Sequence, residues 1–298
     1  MEGGIRLKVF SFFDNSITAV DLGSYETKII AGKQEREGIS VKKAFSFITP
    51  PNTYDNGYIE DEFKLAAAVR EELAKNKISE IDDKEIKSNL FVYPLDVSKK
   101  EEICILYKKI RQDIGKIYGL VNVFHFKGNT RKLDITSNFF AGIEDYPEEA
   151  WDLVHNVNLK GSFLMSQAAI PYFRENGEGV IVNVSSTYGN VSANKSIYGK
   201  SGINSPVAYA TSKAALINLT RYQATHLADY NIRANCLSPG GVYNNQSNEF
   251  IENYTKLTPL RRMANAEDYQ GAILFLMTNA SAYMTGANLI IDGGWTSW

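Results

Sequence analysis

Cysteine is almost missing from this chain. Cys104 and Cys236 are the only two in 298 residues, and they stand far apart. No metal-ligand spacing surrounds either one. That excludes a disulfide framework or a zinc ribbon and leaves buried free thiols in a reducing compartment. An excess of either charge is missing too. Lys and Arg number 32 against 34 Asp and Glu, for a net charge of −2, with the two signs interspersed. Such a surface gives no basic footprint for nucleic acid or an anionic membrane. No apolar run approaches the roughly 20 residues of a membrane helix. The segment "VFSFF" (Val9 to Phe13) lacks the apolar length and the small-residue cleavage site of a leader. The expectation is a soluble, cytoplasmic protein that meets neither nucleic acid nor membrane. What is present is apolar material, 44% of the chain, enough for a core.

Two patterns divide the sequence. In the first third, "SITAVDLGS", "YETKIIAGKQ" and "GISVKKAFSFI" are strand-like runs between short turns. They predict a small antiparallel β-meander. A turn-rich stretch follows, then a helix in "EDEFKLAAAVREELAKNK", with Phe63, Ala66, Ala67, Val69 and Leu73 on one face. The polar "ISEIDDKEIKS" (residues 78–88) marks the junction, giving domains 1–87 and 88–298. Beyond it, buried strands ("NLFVYPLDV", "GLVNVFHF", "GVIVNVSS", "IRANCLSPGG", "NLIID") alternate with helices. That alternation predicts an α/β fold with a Rossmann-like parallel sheet and helices on both faces.

One cluster of residues carries chemistry. Tyr209 and Lys213 are four apart on a predicted helix, so they share a face. A tyrosine hydroxyl can protonate a carbonyl oxygen or deprotonate an alcohol. Its ordinary pKa is near 10, so a nearby cation is needed to lower it. Ser185 and Ser186 end the strand "GVIVNVSS", where ligands bind in an open α/β sheet. Asn158 lies in the helix of "NVNLKGSF", and "LSPGGVYN" follows the next strand.

Together these motifs resemble the short-chain dehydrogenase/reductase family over about residues 88–298. The resemblance implies an oxidoreductase with an Asn–Ser–Tyr–Lys set, here Asn158, Ser186, Tyr209 and Lys213. It implies that Tyr209 is the acid or base, and that Lys213 lowers its pKa and holds the nicotinamide ribose. Ser186 would bind the substrate oxygen, and Asn158 would anchor a water. It further implies cofactor contacts from Asp96, Asn122 and the loop Pro239, Gly240 and Val242, with NAD or NADP as cofactor. Members form homodimers or homotetramers through the two helices matching residues 148–174 and 209–230.

Departures from the family pattern are informative. Ser186 and Tyr209 are 23 residues apart, more than the family usually has. The insert, "YGNVSANKSIYGKSGINSP", resembles that of the surface-sugar and flagellin-glycan branch. It implies a sugar or sugar-phosphate substrate, with Lys195 or Lys200 as anion contacts or as solvated side chains. In "GLVNVFHFKG", Val123, Phe124 and His125 stand where the family has small residues, and a histidine at a strand end is read as structural. The family's Thr-Gly-x-x-x-Gly-x-Gly turn, which brings backbone donors and a helix N-terminus to the pyrophosphate, is not found in residues 1–90. Instead, "DLGSYETK" (Asp21 to Lys28) resembles the first phosphate loop of the actin-like ATPases, and residues 10–78 resemble the start of their pilus-assembly PilM branch. The expectation is a fusion: an ATPase fragment ahead of a dehydrogenase that binds its cofactor weakly. A non-catalytic oligomerisation or partner-binding protein is the alternative.

Overall fold

In the computed structural model, the structure describes residues 95–126, 139–201 and 204–298, with strand segments between Leu7 and Tyr93. The chain divides into two compact units, Met1–Tyr118 and Gly119–Trp298. The expected helix over residues 60–78 and the expected junction at 78–88 lie outside the described residues.

In the first unit, β1 (Leu7–Lys8) and β2 (Ser11–Phe13) precede the expected meander of β3 (Ser16–Leu22), β4 (Glu26–Glu35) and β5 (Gly38–Ile48). Strands β2 to β5 pair antiparallel in sequence order, and β3 meets β4 with Asp21 opposite Lys28. Two short strands, β6 (Tyr54–Asp55) and β7 (Tyr58–Ile59), form a hairpin.

Two expectations are corrected in this unit. Among the described residues, the "NLFVYPLDV" run supplies a strand at β8 (Val92–Tyr93), and it pairs antiparallel with β1. An apolar run reports burial and not strand direction, so the parallel assignment had no basis in the pattern. The thiol of Cys104 is exposed, not buried. Helix α1 (Lys100–Asp113) turns Ile103, Leu106, Tyr107 and Ile110 inward at helical spacing, which puts Cys104 on the outer face.

The second unit is built on a parallel sheet. Strands β9 (Gly119–Asn122), β10 (Gly179–Val184), β11 (Ile232–Pro239) and β12 (Asn288–Ile291) lie in the order β12-β11-β10-β9. Every pairing is parallel, with Ile181 between Leu120 and Ala234. Ile181, Val182, Ile232, Ala234 and Leu237 are almost fully buried, as a sheet covered on both faces requires. Each buried Val, Ile or Leu contributes about 1.5–3 kcal/mol.

The crossovers are helical. Helix α2 (Glu148–His155) runs through a π-helical turn (Asn156–Gly161) into α3 (Ser162–Asn176), which packs on β9 and β10. Gly177 ends α3 in the left-handed conformation, with φ of 76°. Helix α4 (Val207–Leu227) packs on β10 and β11. Two shorter helices follow, α5 (Asn248–Leu257) and α6 (Gln270–Met277).

Candidate active site

The strands of the second sheet deliver their C-terminal ends to one place. Strand β10 runs straight into Ser185 and Ser186, both buried. Ser185 Oγ donates to the Lys213 carbonyl at 2.7 Å. Ser186 opens a 3-10 turn (Thr187–Gly189), and its Oγ accepts the Tyr188 N–H at 3.2 Å. Thr187 Oγ1 donates to the Pro239 carbonyl at 2.9 Å, joining the end of β10 to the loop after β11. A side chain at Gly189 would meet the Lys213 backbone at 2.9 Å, so only glycine lets this turn press against α4.

Helix α4 carries the reactive pair. Lys213 is 2% exposed, and its Nζ donates to the Val184 carbonyl at 2.7 Å. The ammonium also lies 5.8 Å from the centre of the Tyr209 ring, within reach of a cation–π contact. Burial pushes the Lys213 pKa down to about 8, opposed by the neighbouring Cys236. Burial pushes the buried Cys236 thiol the other way, above its ordinary value. The Tyr209 pKa is raised by burial, against a hydrogen bond with Ser186 that lowers it. Proximity to Lys213 therefore does not translate into an acidic tyrosine here. The ammonium is committed to the Val184 carbonyl, and desolvation decides the sign.

Asn158 fixes this corner from below. It is fully buried inside the π-helical turn, a feature often found at functional sites. Its Oδ1 accepts the Phe126 N–H at 2.7 Å, and its Nδ2 donates to Ser212 Oγ at 2.9 Å. Ser212 Oγ in turn donates to the Tyr209 carbonyl at 2.8 Å. One side chain thus ties the segment after β9 to the helix turn that bears Tyr209 and Lys213. On that segment, His125 sets its ring edge-on to Tyr209, with centres 5.8 Å apart.

The residues expected at a cofactor divide into three groups. In the loop after β11, the Gly240 N–H donates to the Ile291 carbonyl at 2.8 Å and the Gly241 N–H to Tyr254 Oη at 2.6 Å. Val242 bridges Ala264, so the Pro239–Val242 backbone is held on both sides. Asn122 has its side chain turned inward. Its Nδ2 donates to Asn183 Oδ1 at 2.8 Å, and Asn183 continues to Thr220 and Gln223 on α4. The Asn122 Oδ1 is buried and has no hydrogen-bond partner among the described residues. Asp96 belongs to the first unit, where its Oδ1 accepts from the N–H and Oγ of Ser98.

The insert between Ser186 and Tyr209 is anchored. A 3-10 turn (Lys195–Tyr198) buries Ile197 completely among Tyr254, Met263 and Trp295. Tyr198 and Tyr188 pack on the same cluster, and the Tyr198 ring lies 5.4 Å from Phe250 of α5. Lys195 and Lys200 are exposed. The two tyrosines and Ser205 lie beside this corner, and the sequence pattern did not single them out. The available signal was two tyrosines within one site-flanking insert.

Comparison with known proteins agrees with this geometry. The family model described as enoyl-(acyl carrier protein) reductase matches residues 58–296. Its match begins ahead of the expected boundary at residue 88. The chain is 34% identical to an NAD-dependent glycerol dehydrogenase of Listeria innocua, over 70% of this chain and 76% of the relative. It is 30% identical to post-translational flagellin modification protein A of Campylobacter coli, over 72% and 80%. A crystal structure of a short chain dehydrogenase from Leptospira borgpetersenii with bound NAD+ superposes with a TM-score of 0.60 at 39% identity, covering 67% of this chain and 73% of that one. Neither the model match nor these relatives supports an ATPase fragment at the N-terminus.

Proposed function

Because the chain belongs to the short-chain dehydrogenase/reductase family, we propose that it interconverts an alcohol and a ketone on a polyol or sugar-like substrate, using NAD or NADP. The observation that carries this reading is the Ser186–Tyr209–Lys213 corner, braced by Asn158 at the C-terminal end of the parallel sheet. The glycerol dehydrogenase and flagellin-modification relatives support a polyhydroxylated substrate.

The corner suits the nicotinamide half of such a cofactor. The Lys213 ammonium has three donors, and Val184 is its one hydrogen-bond acceptor among the described residues. A buried ammonium left so short of acceptors is matched by ribose hydroxyls. The rigid Pro239–Val242 backbone would meet the carboxamide. When bound, the cofactor supplies or accepts the hydride. Tyr209, protonated at neutral pH, donates its proton to the developing alkoxide, while Ser186 Oγ holds the same oxygen. In the reverse direction the base is the Tyr209 phenolate, so oxidation would be favoured as pH rises.

The sequence offers no glycine-rich turn for the pyrophosphate. Hydrogen bonds to charged groups are worth about 1.5–3 kcal/mol each, so two lost donors weaken binding about 100-fold or more. We expect NADH and NADPH to bind no tighter than millimolar. The missing turn also favours a second reading, a non-catalytic oligomerisation or partner-binding protein. A fluorescence titration separates them. Saturable millimolar binding with slow turnover supports a weakened oxidoreductase. No binding at any concentration supports the second reading, and a micromolar dissociation constant would overturn the weak-binding expectation.

A further inference from the structure

The insert brings a pair of phenols to the reacting tyrosine. Tyr188 leaves the 3-10 turn that Ser186 opens, and Tyr198 leaves the 3-10 turn anchored by Ile197. Both rings are half-buried against α5 and the Trp295 cluster, where Tyr254 stacks on Trp295 with centres 4.4 Å apart. Their hydroxyls hydrogen-bond to each other, and the Tyr198 hydroxyl also bonds Ser205, immediately ahead of α4. The Tyr188 N–H sits on Ser186 Oγ at 3.2 Å, which holds the first of these residues directly beside the reacting corner. We propose that Tyr188 and Tyr198 form a specificity site that binds the hydroxyl next to the reacting carbon of an uncharged polyol. The proposal rests on the oxidoreductase reading and adds residues and a charge state to its substrate.

Three observations support the assignment. First, the pair is a built feature. A solvated loop would not bury Ile197 fully or lay Tyr198 against Phe250. Second, burial raises the pKa of both phenols, so they remain neutral and can each donate and accept. A vicinal hydroxyl, itself donor and acceptor, matches such a pair, whereas a phosphate calls for cations. Third, the cations that the insert does carry, Lys195 and Lys200, are exposed, while the phenols pack inward. Tyr188 follows Ser186 by two residues and Tyr198 bonds Ser205 ahead of α4, so the pair flanks the corner at both ends of the insert.

The test compares substrates differing by one hydroxyl, 2,3-butanediol and 2-butanol, with saturating NAD+ or NADP+. Wild-type protein should prefer the diol. Tyr198→Phe and Tyr188→Phe should each lower kcat/KM for the diol about tenfold, mostly through KM, and leave 2-butanol within twofold. Saturation-transfer NMR of 2,3-butanediol should weaken in both variants while their melting temperatures hold. Equal losses on both alcohols, no loss on either, or a preference for glycerol 3-phosphate over glycerol would overturn the specificity site and leave the oxidoreductase reading standing. A wild-type protein that oxidises neither alcohol, and whose ketones it fails to reduce, would sink both.

Discussion

Lys213 carries a burial cost that depends on pH. Its folded pKa of about 8 lies below the 10.5 of the unfolded chain, so the unfolded state holds the proton more tightly. The cost is complete below pH 8, fades as pH rises from 8 to 10.5, and vanishes above. At about 1.4 kcal/mol per unit, that is about 3 kcal/mol at neutral pH. Lys213→Met should therefore raise stability at pH 7 by 1–3 kcal/mol, on the order of the burial cost less one lost hydrogen bond to Val184. Urea denaturation at pH 7 and pH 9.5 checks this, and the gap between variant and wild type should narrow at the higher pH. The same variant should lose activity, since the cation beside Tyr209 is gone. Tyr209→Phe behaves differently. It removes one hydroxyl, should leave the fold intact, and should lower turnover about 10²–10⁴-fold in steady-state assays. That Asn158, Ser186, Tyr209 and Lys213 gather at one sheet end was legible, because Tyr209 and Lys213 share a helix face and Ser186 ends a strand. The pKa of Tyr209 was not, because its direction depends on burial and on where the Lys213 ammonium finds its acceptor.

At the scale of elements, the insert joins α5 to the catalytic corner through one aliphatic side chain. Ile197 is completely buried, and Asn253 of α5 donates to the Ser196 carbonyl at 3.5 Å. Ile197→Ala should cost about 2–5 kcal/mol in a denaturation experiment. It should also speed amide exchange between residues 195 and 201 and raise KM for diols, because Tyr198 loses its backing. Unchanged exchange there would show that α5 holds the insert without Ile197. The parallel strands β9 to β12 were readable from their alternation with helices, and the meander from its short turns. The anchoring of the insert was hidden. Its residues are mostly polar, and only three-dimensional packing shows that Ile197 and Tyr198 face α5. The direction of β8 was hidden for a related reason, since its partner β1 is remote in sequence and an apolar run pairs either way.

At the scale of the whole molecule, one face of the second unit is unusually apolar. His155, Asn156, Leu159, Lys160, Phe163 and Leu219 line a groove of about 400 Å³, and Phe163 is 45% exposed. Trp151 and Tyr222 add exposed aromatic surface on α2 and α4. We propose a second copy of this chain as the occupant, through the helices matched to the family's subunit contact. Phe163→Asp should shift the protein toward monomer in light scattering at micromolar concentration, and a wild-type monomer would sink the idea. No helix among the described residues is long and apolar enough to cross a membrane. The π-helical turn at Asn156–Gly161 sits between this face and the active site. It carries one residue more than an α-helical turn, and one residue is about 100° of rotation. Asn158 points inward to Ser212, while Phe163 points out. The extra residue sets the phase between them, like a gear cut one tooth long. Removing a single residue there would let the helix run true, and it would put either the asparagine or the phenylalanine on the wrong bearing. The extra residue thus couples the bearing of Asn158 to that of Phe163, and a one-codon deletion would uncouple them.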